Sequence, residues 1–292
     1  MIPSKPKGVA LIQVLIMTAI MSLIAIQFSK TARNQVDIAN DFNDRVNAEL
    51  LLKSSRAKVL YNFFKFEPHE LAGSTQGGVK WNFTGEPFKF ATNVTLSIQP
   101  ASGFLSLVTT PDELLYKLLT SRSISGGEAE VIIASIKDWV DIDNFQSQNG
   151  AESNYYKEFN VTPRNGPLQH ISELKAVRGI TTEIYNEIAN FLTIYPTASF
   201  NPIYAPNELN IALFNEEIAA QIVMAKQTNT LTETTWRSIV GNQIFDFVDL
   251  HPGVVFSIAL KVKSNQVVLS QNFDIKINSQ KSIDPIVILS TY

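Results

Sequence analysis

The sequence predicts an α+β fold: one very long N-terminal helix laid on an antiparallel sheet, with a large helical domain inserted between the strands. Three observations predict it. Residues 9–65 contain neither proline nor glycine, so nothing in them interrupts a helix. Strand-like alternation falls in two separate groups, at 93–108 and at 254–289. Between those groups, over about 110–228, the apolar spacing turns helical.

A chain of 292 residues has room for one large domain or two small ones. Its 45% hydrophobic and 10% aromatic content suit a packed core rather than a disordered chain. The net charge of −3 sets up no global field that would attract nucleic acid or anionic lipid. Cysteine is absent, which excludes disulfides, thiolate metal sites and cysteine nucleophiles.

Residues 9–28 read VALIQVLIMTAIMSLIAIQF, an uncharged run long enough to cross ~30 Å of hydrocarbon as a helix. Lys5 and Lys7 precede it, so the positive-inside bias holds the short N-terminus in the cytoplasm and sends the rest outward. A secretory signal would have a shorter apolar region ending at a small-residue cleavage site. Here the run passes into Gln27-Phe28-Ser29-Lys30 instead, which favours a retained membrane helix.

The junction Lys5-Pro6-Lys7-Gly8, followed at once by Val9-Ala10-Leu11-Ile12, resembles the class III signal of type IV pilins and pseudopilins. That resemblance implies a prepilin peptidase cutting after Gly8, with Val9 as the mature, methylated N-terminus and the apolar helix kept. Most pilins carry glutamate at the fifth mature position, whereas this chain has Gln13. A bare carboxylate in lipid is kept only where it has a partner, and lack of this acid is typical of the K-type minor pseudopilins.

The helix is expected to run on past the membrane. Val36, Ala39, Phe42 or Asn43, Val46, Leu50, Ala57, Leu60 and Phe64 recur at helical steps, with Arg33, Asp37, Asp41, Asp44, Arg45 and Lys53 on other faces. From Val9 this makes a helix of about 55 residues, ~80 Å long. Its first half lies in lipid and its second packs on the sheet. Strands are expected at 93–99, 104–108, 254–262, 266–270, 273–277 and 286–289, the first two as a hairpin through Pro100-Ala101-Ser102-Gly103. Helices are expected at 128–140, 171–178, 181–192 and 206–226.

The helical block carries motifs in a specific order. Asp138-Trp139-Val140-Asp141-Ile142-Asp143 is followed by Asn149-Gly150-Ala151-Glu152-Ser153-Asn154-Tyr155-Tyr156, then Ser172-Glu173-Leu174, Val177-Arg178-Gly179-Ile180 and Tyr185. A last stretch joins Phe200-Asn201 to Ala205-Pro206 and Glu208-Leu209, with Ile203 and Tyr204 departing from the pattern. Together these resemble the K pseudopilin of type II secretion, the general secretion pathway protein K family. The resemblance implies a pilin-like division: a leader at 1–8, a transmembrane helix at 9–29 and the pilin-like helix with its first strands at 30–109. An inserted α-domain follows at 110–228, and the remaining strands at 229–292.

Asp138, Asp141, Asp143 and Glu152 place hard oxygen donors within a short span, which suits Ca²⁺. The spacing departs from an EF-hand: counting from Asp141, Phe145 falls at position 5 and Gln146 replaces the glycine at 6. Two readings stand, a different calcium loop and a solvated acidic loop with helix-capping aspartates. The family resemblance adds an expectation of calcium in this domain.

Residues 174–192 resemble a helix-hairpin-helix around Gly179-Ile180-Thr181. Only Lys175 and Arg178 are basic there, and Glu183 and Glu187 share the neighbourhood, so a packing motif is the better reading than a phosphate grip. His69, His170 and His251 are scattered, and no hydrolase, zincin or phosphate-loop motif occurs, so no enzyme is expected. Trp81, Trp139 and Trp236 read as core anchors.

What the resemblance implies is a structural protein. It would be a minor pseudopilin at the tip of the pseudopilus, held in the inner membrane by one helix with its globular part in the periplasm. It would cap the fibre and help start its assembly for the export of folded proteins. The implied partners are other minor pseudopilins, the prepilin peptidase and the inner-membrane secretion platform, with no nucleic acid. The alternative is a membrane-anchored extracytoplasmic DNA-binding protein using the helix-hairpin-helix.

Overall fold

In the computed structural model the described residues are 9–228, 230–241, 247–278 and 282–292. Helix α1, Val9–Lys65, is continuous over 57 residues, ~85 Å. Its apolar first half is wholly exposed and is long and apolar enough to cross a membrane. That fits a single-pass anchor carrying a soluble domain.

Beyond α1 come the short helix α2 (Pro68–Leu71) and a small hairpin of β1 (Thr75–Gln76) and β2 (Val79–Lys80). Strands β3 (Phe88–Ala91) and β4 (Val94–Pro100) follow. The chain then leaves the sheet through a 3-10 turn, Ala101–Gly103. Gly103 is needed there, since a Cβ would meet the Tyr204 carbonyl oxygen at 2.6 Å. The expected hairpin at 104–108 does not form: β5 (Leu105–Ser106) pairs in parallel with β6 (Leu192–Thr193), far along the chain.

The helices are α3 (Asp112–Ser121), α4 (Gly126–Val140), α5 (Ser153–Tyr156), α6 (Thr182–Ile188), α7 (Asn207–Phe214), α8 (Glu216–Gln227) and α9 (Glu233–Val240). The single helix expected at 206–226 is broken at Asn215, whose φ of 107° ends α7 and whose side chain accepts from Ile218 N to cap α8. The helix expected at 171–178 is a 3-10 helix, Ile171–Ala176, and the one expected at 181–192 stops at Ile188 and continues as a 3-10 turn. Helix α9 lies beyond residue 228, yet its Trp236 and Val240 belong to the helical cluster with Ile132, Leu174, Leu209 and Ile222. Trp236 packs edge-on to Phe214 at 5.3 Å.

The chain returns in β7 (Val255–Ser264), β8 (Val267–Ile277) and β9 (Ile286–Thr291). The five strands run β3-β4-β7-β8-β9, every pair antiparallel. Neighbours β4 and β7 are joined in register, Leu96 opposite Leu260 and Ile98 opposite Ile258, so the helical domain is inserted between two adjacent strands. The segments expected as two strands at 266–270 and 273–277 form one, because Gln271 and Asn272 stay in the ladder opposite Leu260 and Ala259.

Helix α1 lies on β7, β8 and β9. Ala48 and Ser55 are buried on that face, small residues that let helix and sheet come close, and Val59 and Phe63 follow one and two turns on. Phe63 meets Phe256 at 5.1 Å and Trp81 at 6.2 Å, closing the sheet core. Of the stripe picked out by sequence period, Leu60 packs on this core. Val36, Phe42, Val46, Leu50 and Phe64 are exposed. The helix thus has two apolar stripes, and the sheet covers the one that begins with Ala48 and Ser55 and ends with Val59 and Phe63.

Candidate functional site

The site is built from the end of α4 and the loop after it. Ser125 and Glu128 cap the start of α4 reciprocally, and its apolar face sinks Ile132, Ile136 and Trp139 into the helical cluster. That burial carries Asp138 in with it, fully buried in the last turn. A helix C-terminus presents partial negative charge, so a carboxylate there calls for compensation. The Ser147 amide supplies some, donating to Asp138 Oδ2 at 3.1 Å.

Glu152 is the N-cap of α5 and is 3% exposed. Its Oε2 accepts from Ser153 N at 3.2 Å, while Oε1 has no protein partner. Asp141, one turn past Asp138, likewise has Oδ1 without a partner. Ligand oxygens of Asp138, Asp141 and Glu152 lie within 4.8 Å of one another. Burial first, then Asp143 and Asp138, push the Asp141 carboxyl above its ordinary value. Burial also raises Glu152, against the Ser153 amide that lowers it, and the three aspartates add to the rise. Asp143 stands apart from the group: its Oδ1 accepts from Phe145 N at 2.8 Å, an ordinary turn contact.

Gly150 closes the pocket. A Cβ on it would lie 2.0 Å from Asp138 Oδ2, so no other residue fits against that carboxylate. The Gly150 carbonyl accepts from Arg178 Nη1 and from Gln146 Nε2, both at 2.8 Å. Arg178 N donates to Tyr156 OH at 3.1 Å, and Tyr156 packs edge-on to Trp139 at 5.0 Å. Three motifs separated in sequence therefore meet around the acids. Arg178 and the Ser147 amide were not expected here from sequence; the Val177-Arg178-Gly179 motif was the available signal.

These residues fit a hard divalent cation. Three carboxylates converge, two of their oxygens lack protein partners, and their mutual repulsion would be relieved by positive charge.

The helix-hairpin-helix geometry tells against a phosphate grip. Gly179 turns with φ +86° against Ile132, but Lys175 sits over the Tyr185 ring at 4.5 Å and Arg178 over Tyr155 at 5.0 Å. Both cations are held against the protein. At the other end of the molecule, Gln13 is exposed on the apolar part of α1, whose first residue is Val9; Gly8 lies outside the described residues.

Comparison with known proteins agrees with this layout. Residues 107–197 match the family model for type II secretion system protein K. A putative type II secretion system protein K of Escherichia coli K12 is 24% identical over 68% of this chain and 65% of its own length. The type II secretion system protein K of Pectobacterium carotovorum is 24% identical over 81% of this chain and 75% of its own. A chain in the crystal structure of the GspK-GspI-GspJ complex from the enterotoxigenic E. coli type 2 secretion system shares the fold. Its TM-score is 0.59 at 16% identity, over 87% of this chain and 98% of that one.

Proposed function

We propose, from the premise that this chain is a protein of the type II secretion K family, that it is the minor pseudopilin at the tip of the pseudopilus. There it caps the fibre and helps initiate its assembly for export of folded proteins across the outer membrane. The observation that carries this is the second apolar stripe of α1. Where the sheet covers one face of α1, from Ala48 on, Leu50 still faces outward, and Val36, Phe42 and Val46 continue that row along the helix before it. Exposed apolar residues in a row along one helix are what neighbouring helices of a fibre would cover. The partners proposed are other minor pseudopilins, as in the three-protein complex of the structural relative.

Two features favour the tip over the shaft. The inserted helical domain adds bulk that a stacked subunit would have to accommodate. Gln13 offers no carboxylate for the amine of a subunit ahead, so the chain is suited to be first in line. The maturation proposed is cleavage between Gly8 and Val9 by the prepilin peptidase, with methylation of Val9. The resulting subunit stays in the inner membrane with its globular part in the periplasm, in contact with the secretion platform.

Asp138, Asp141 and Glu152 are proposed to hold Ca²⁺, with backbone oxygens or water completing the shell. The ion would neutralise the carboxylates and brace the loop between α4 and α5. Asp143, expected among the ligands, is proposed only as an outer contributor of charge.

The test is affinity purification of the full chain from detergent-solubilised membranes, together with labelling of assembled fibres. The expected result is recovery of other minor pseudopilins with the chain and label at one fibre end. Label along the whole fibre, or recovery of no other pseudopilin, overturns the proposal.

A further inference from the structure

A groove of about 730 Å³ opens where the sheet part meets the helical domain. One wall is the segment from Lys80 to Thr84 with Phe88 and Lys89 of β3, and the other is the end of α8 around Lys226. Half-buried Phe88 is the aromatic surface of the first wall, backed by the buried Trp81 ring 6.1 Å away, and Ile203 and Tyr204 also line the groove.

Its chemistry is one-sided. Lys80, Lys89 and Lys226 line it, and among the described residues no aspartate or glutamate does. The one acid in the adjoining loop, Glu86, is exposed and lies outside the lining. On a chain of net charge −3 this is a local concentration of positive charge. Lys226 is half-buried and donates only to the Ala205 carbonyl, at 3.3 Å. Burial holds its pKa below the usual lysine range, the mark of an ammonium that lacks a counter-charge. A half-buried cation without an acidic partner is costly unless a ligand supplies the counter-charge.

One wall also offers backbone. Strand β3 is the outermost strand of the five-stranded sheet, hydrogen-bonded on the β4 side. An edge strand of this kind accepts an extended chain by backbone pairing, with side-chain pockets supplying specificity.

We propose that this groove binds an extended peptide segment of a partner protein in which a carboxylate lies beside an aromatic or aliphatic side chain. The carboxylate pairs with Lys226 and Lys89, the apolar side chain lies on Phe88, and the peptide backbone runs along β3. The site is independent of the fibre contacts, which run through α1, and of the acidic cluster after α4.

Fluorescence anisotropy on the full chain in non-ionic detergent tests this. The probe is a labelled short peptide alternating phenylalanine and glutamate, with a counterpart alternating phenylalanine and glutamine. The expected result is saturable binding of the glutamate peptide, at least tenfold tighter than the glutamine one. Added salt should weaken it, and so should Lys226→Met, by tenfold or more. Lys89→Glu, at an exposed position that leaves the fold intact, should weaken it as well and carries the test if Lys226→Met fails to fold. Absence of saturable binding, equal affinity for both peptides, or indifference to both substitutions overturns the proposal. Displacement by N-acetylphenylalanine at the peptide's own affinity would place a small carboxylic acid in the groove and overturn the peptide reading.

Discussion

The phenol of Tyr195 donates to Asp274 Oδ2 at 2.7 Å, tying the chain just beyond β6 to the centre of β8. Phe273 and Ile275 on either side belong to the sheet core under α1, so Asp274 points to the opposite face of the sheet. It is buried there, with Ser290 Oγ as a second donor at 2.6 Å and Oδ1 without a partner. The bond thus joins the inserted domain to the sheet at a carboxylate that is already under-satisfied.

Tyr195→Phe should therefore destabilise the protein by about 1–3 kcal/mol, the usual cost of leaving a buried charged acceptor short of a donor. Chemical denaturation of the two proteins side by side measures it; equal midpoints would mean that the bond contributes nothing. Tyr195 also sets an alkaline limit. Burial, with the Asp274 carboxylate as its acceptor, pushes the phenol from 10.0 up to about 12. A pKa raised on folding gives stability that is complete below the unfolded value and is lost as pH rises through the folded one. Between about pH 10 and 12 the wild type should lose stability that Tyr195→Phe no longer has to lose.

How far the sequence foretold this architecture differs from element to element. The length of α1 was legible because no proline or glycine interrupts it. Its sheet-facing side was not, because Ala48 and Ser55 give a weak apolar signal, while the stronger stripe through Val46 and Leu50 faces away from the sheet. The break at Asn215 depends on a positive φ that local sequence only permits. Helix α9 was hidden because its amphipathic run is short and its anchor, Trp236, finds its partner Phe214 two helices back. At the acidic site the carboxylates were legible as a cluster. Their sorting was not: Asp143 turns to the Phe145 amide, while Arg178 arrives from a distant motif.

Calcium should raise the melting temperature of the protein relative to chelator, by mass action on the folded state. Asp141→Asn and Glu152→Gln should each remove most of that shift, and Asp143→Asn should leave it nearly intact. Gly150→Ala should remove the shift and destabilise the protein, since its methyl would sit 2.0 Å from Asp138 Oδ2. Identical melting curves with and without calcium would assign the cluster to an ordinary acidic loop.

The same carboxyls set a pH dependence in chelator. Asp141 and Glu152 are both shifted upward from 3.8 and 4.5. Stability from their protonated forms is full below those values and declines as pH rises through the shifted ones. Melts across the mildly acid range should show this decline in chelator, and calcium should reduce it. A decline of equal size in Asp141→Asn would assign the effect to other groups.

Mass spectrometry of the protein from membranes should find Val9 as the first residue, methylated on its amine. The apolar run beginning there has no charge before Lys30, so cleavage after Gly8 leaves only the terminal amine at the membrane boundary. Retention of Met1 would contradict cleavage of the leader, and a start beyond residue 28 would contradict the retained anchor as well.

The two faces of α1 should respond oppositely to the same substitution. Val46 lies on the exposed stripe, where an aspartate stays in water in the isolated chain, so Val46→Asp should leave the melting temperature unchanged. In the assembled tip that position would be covered by a partner helix, and burying an unpaired carboxylate costs several kcal/mol. Each 1.4 kcal/mol is a tenfold loss of affinity, so recovery of other minor pseudopilins with the chain should fall at least tenfold. Ala48, two residues on and fully buried against the sheet, should behave in reverse. Ala48→Asp puts the charge into the protein's own core and should lower stability before any partner is present. Co-purification and thermal melts on both variants separate the faces. If Val46→Asp keeps its partners, the exposed stripe is not the fibre contact and the tip complex must be held elsewhere.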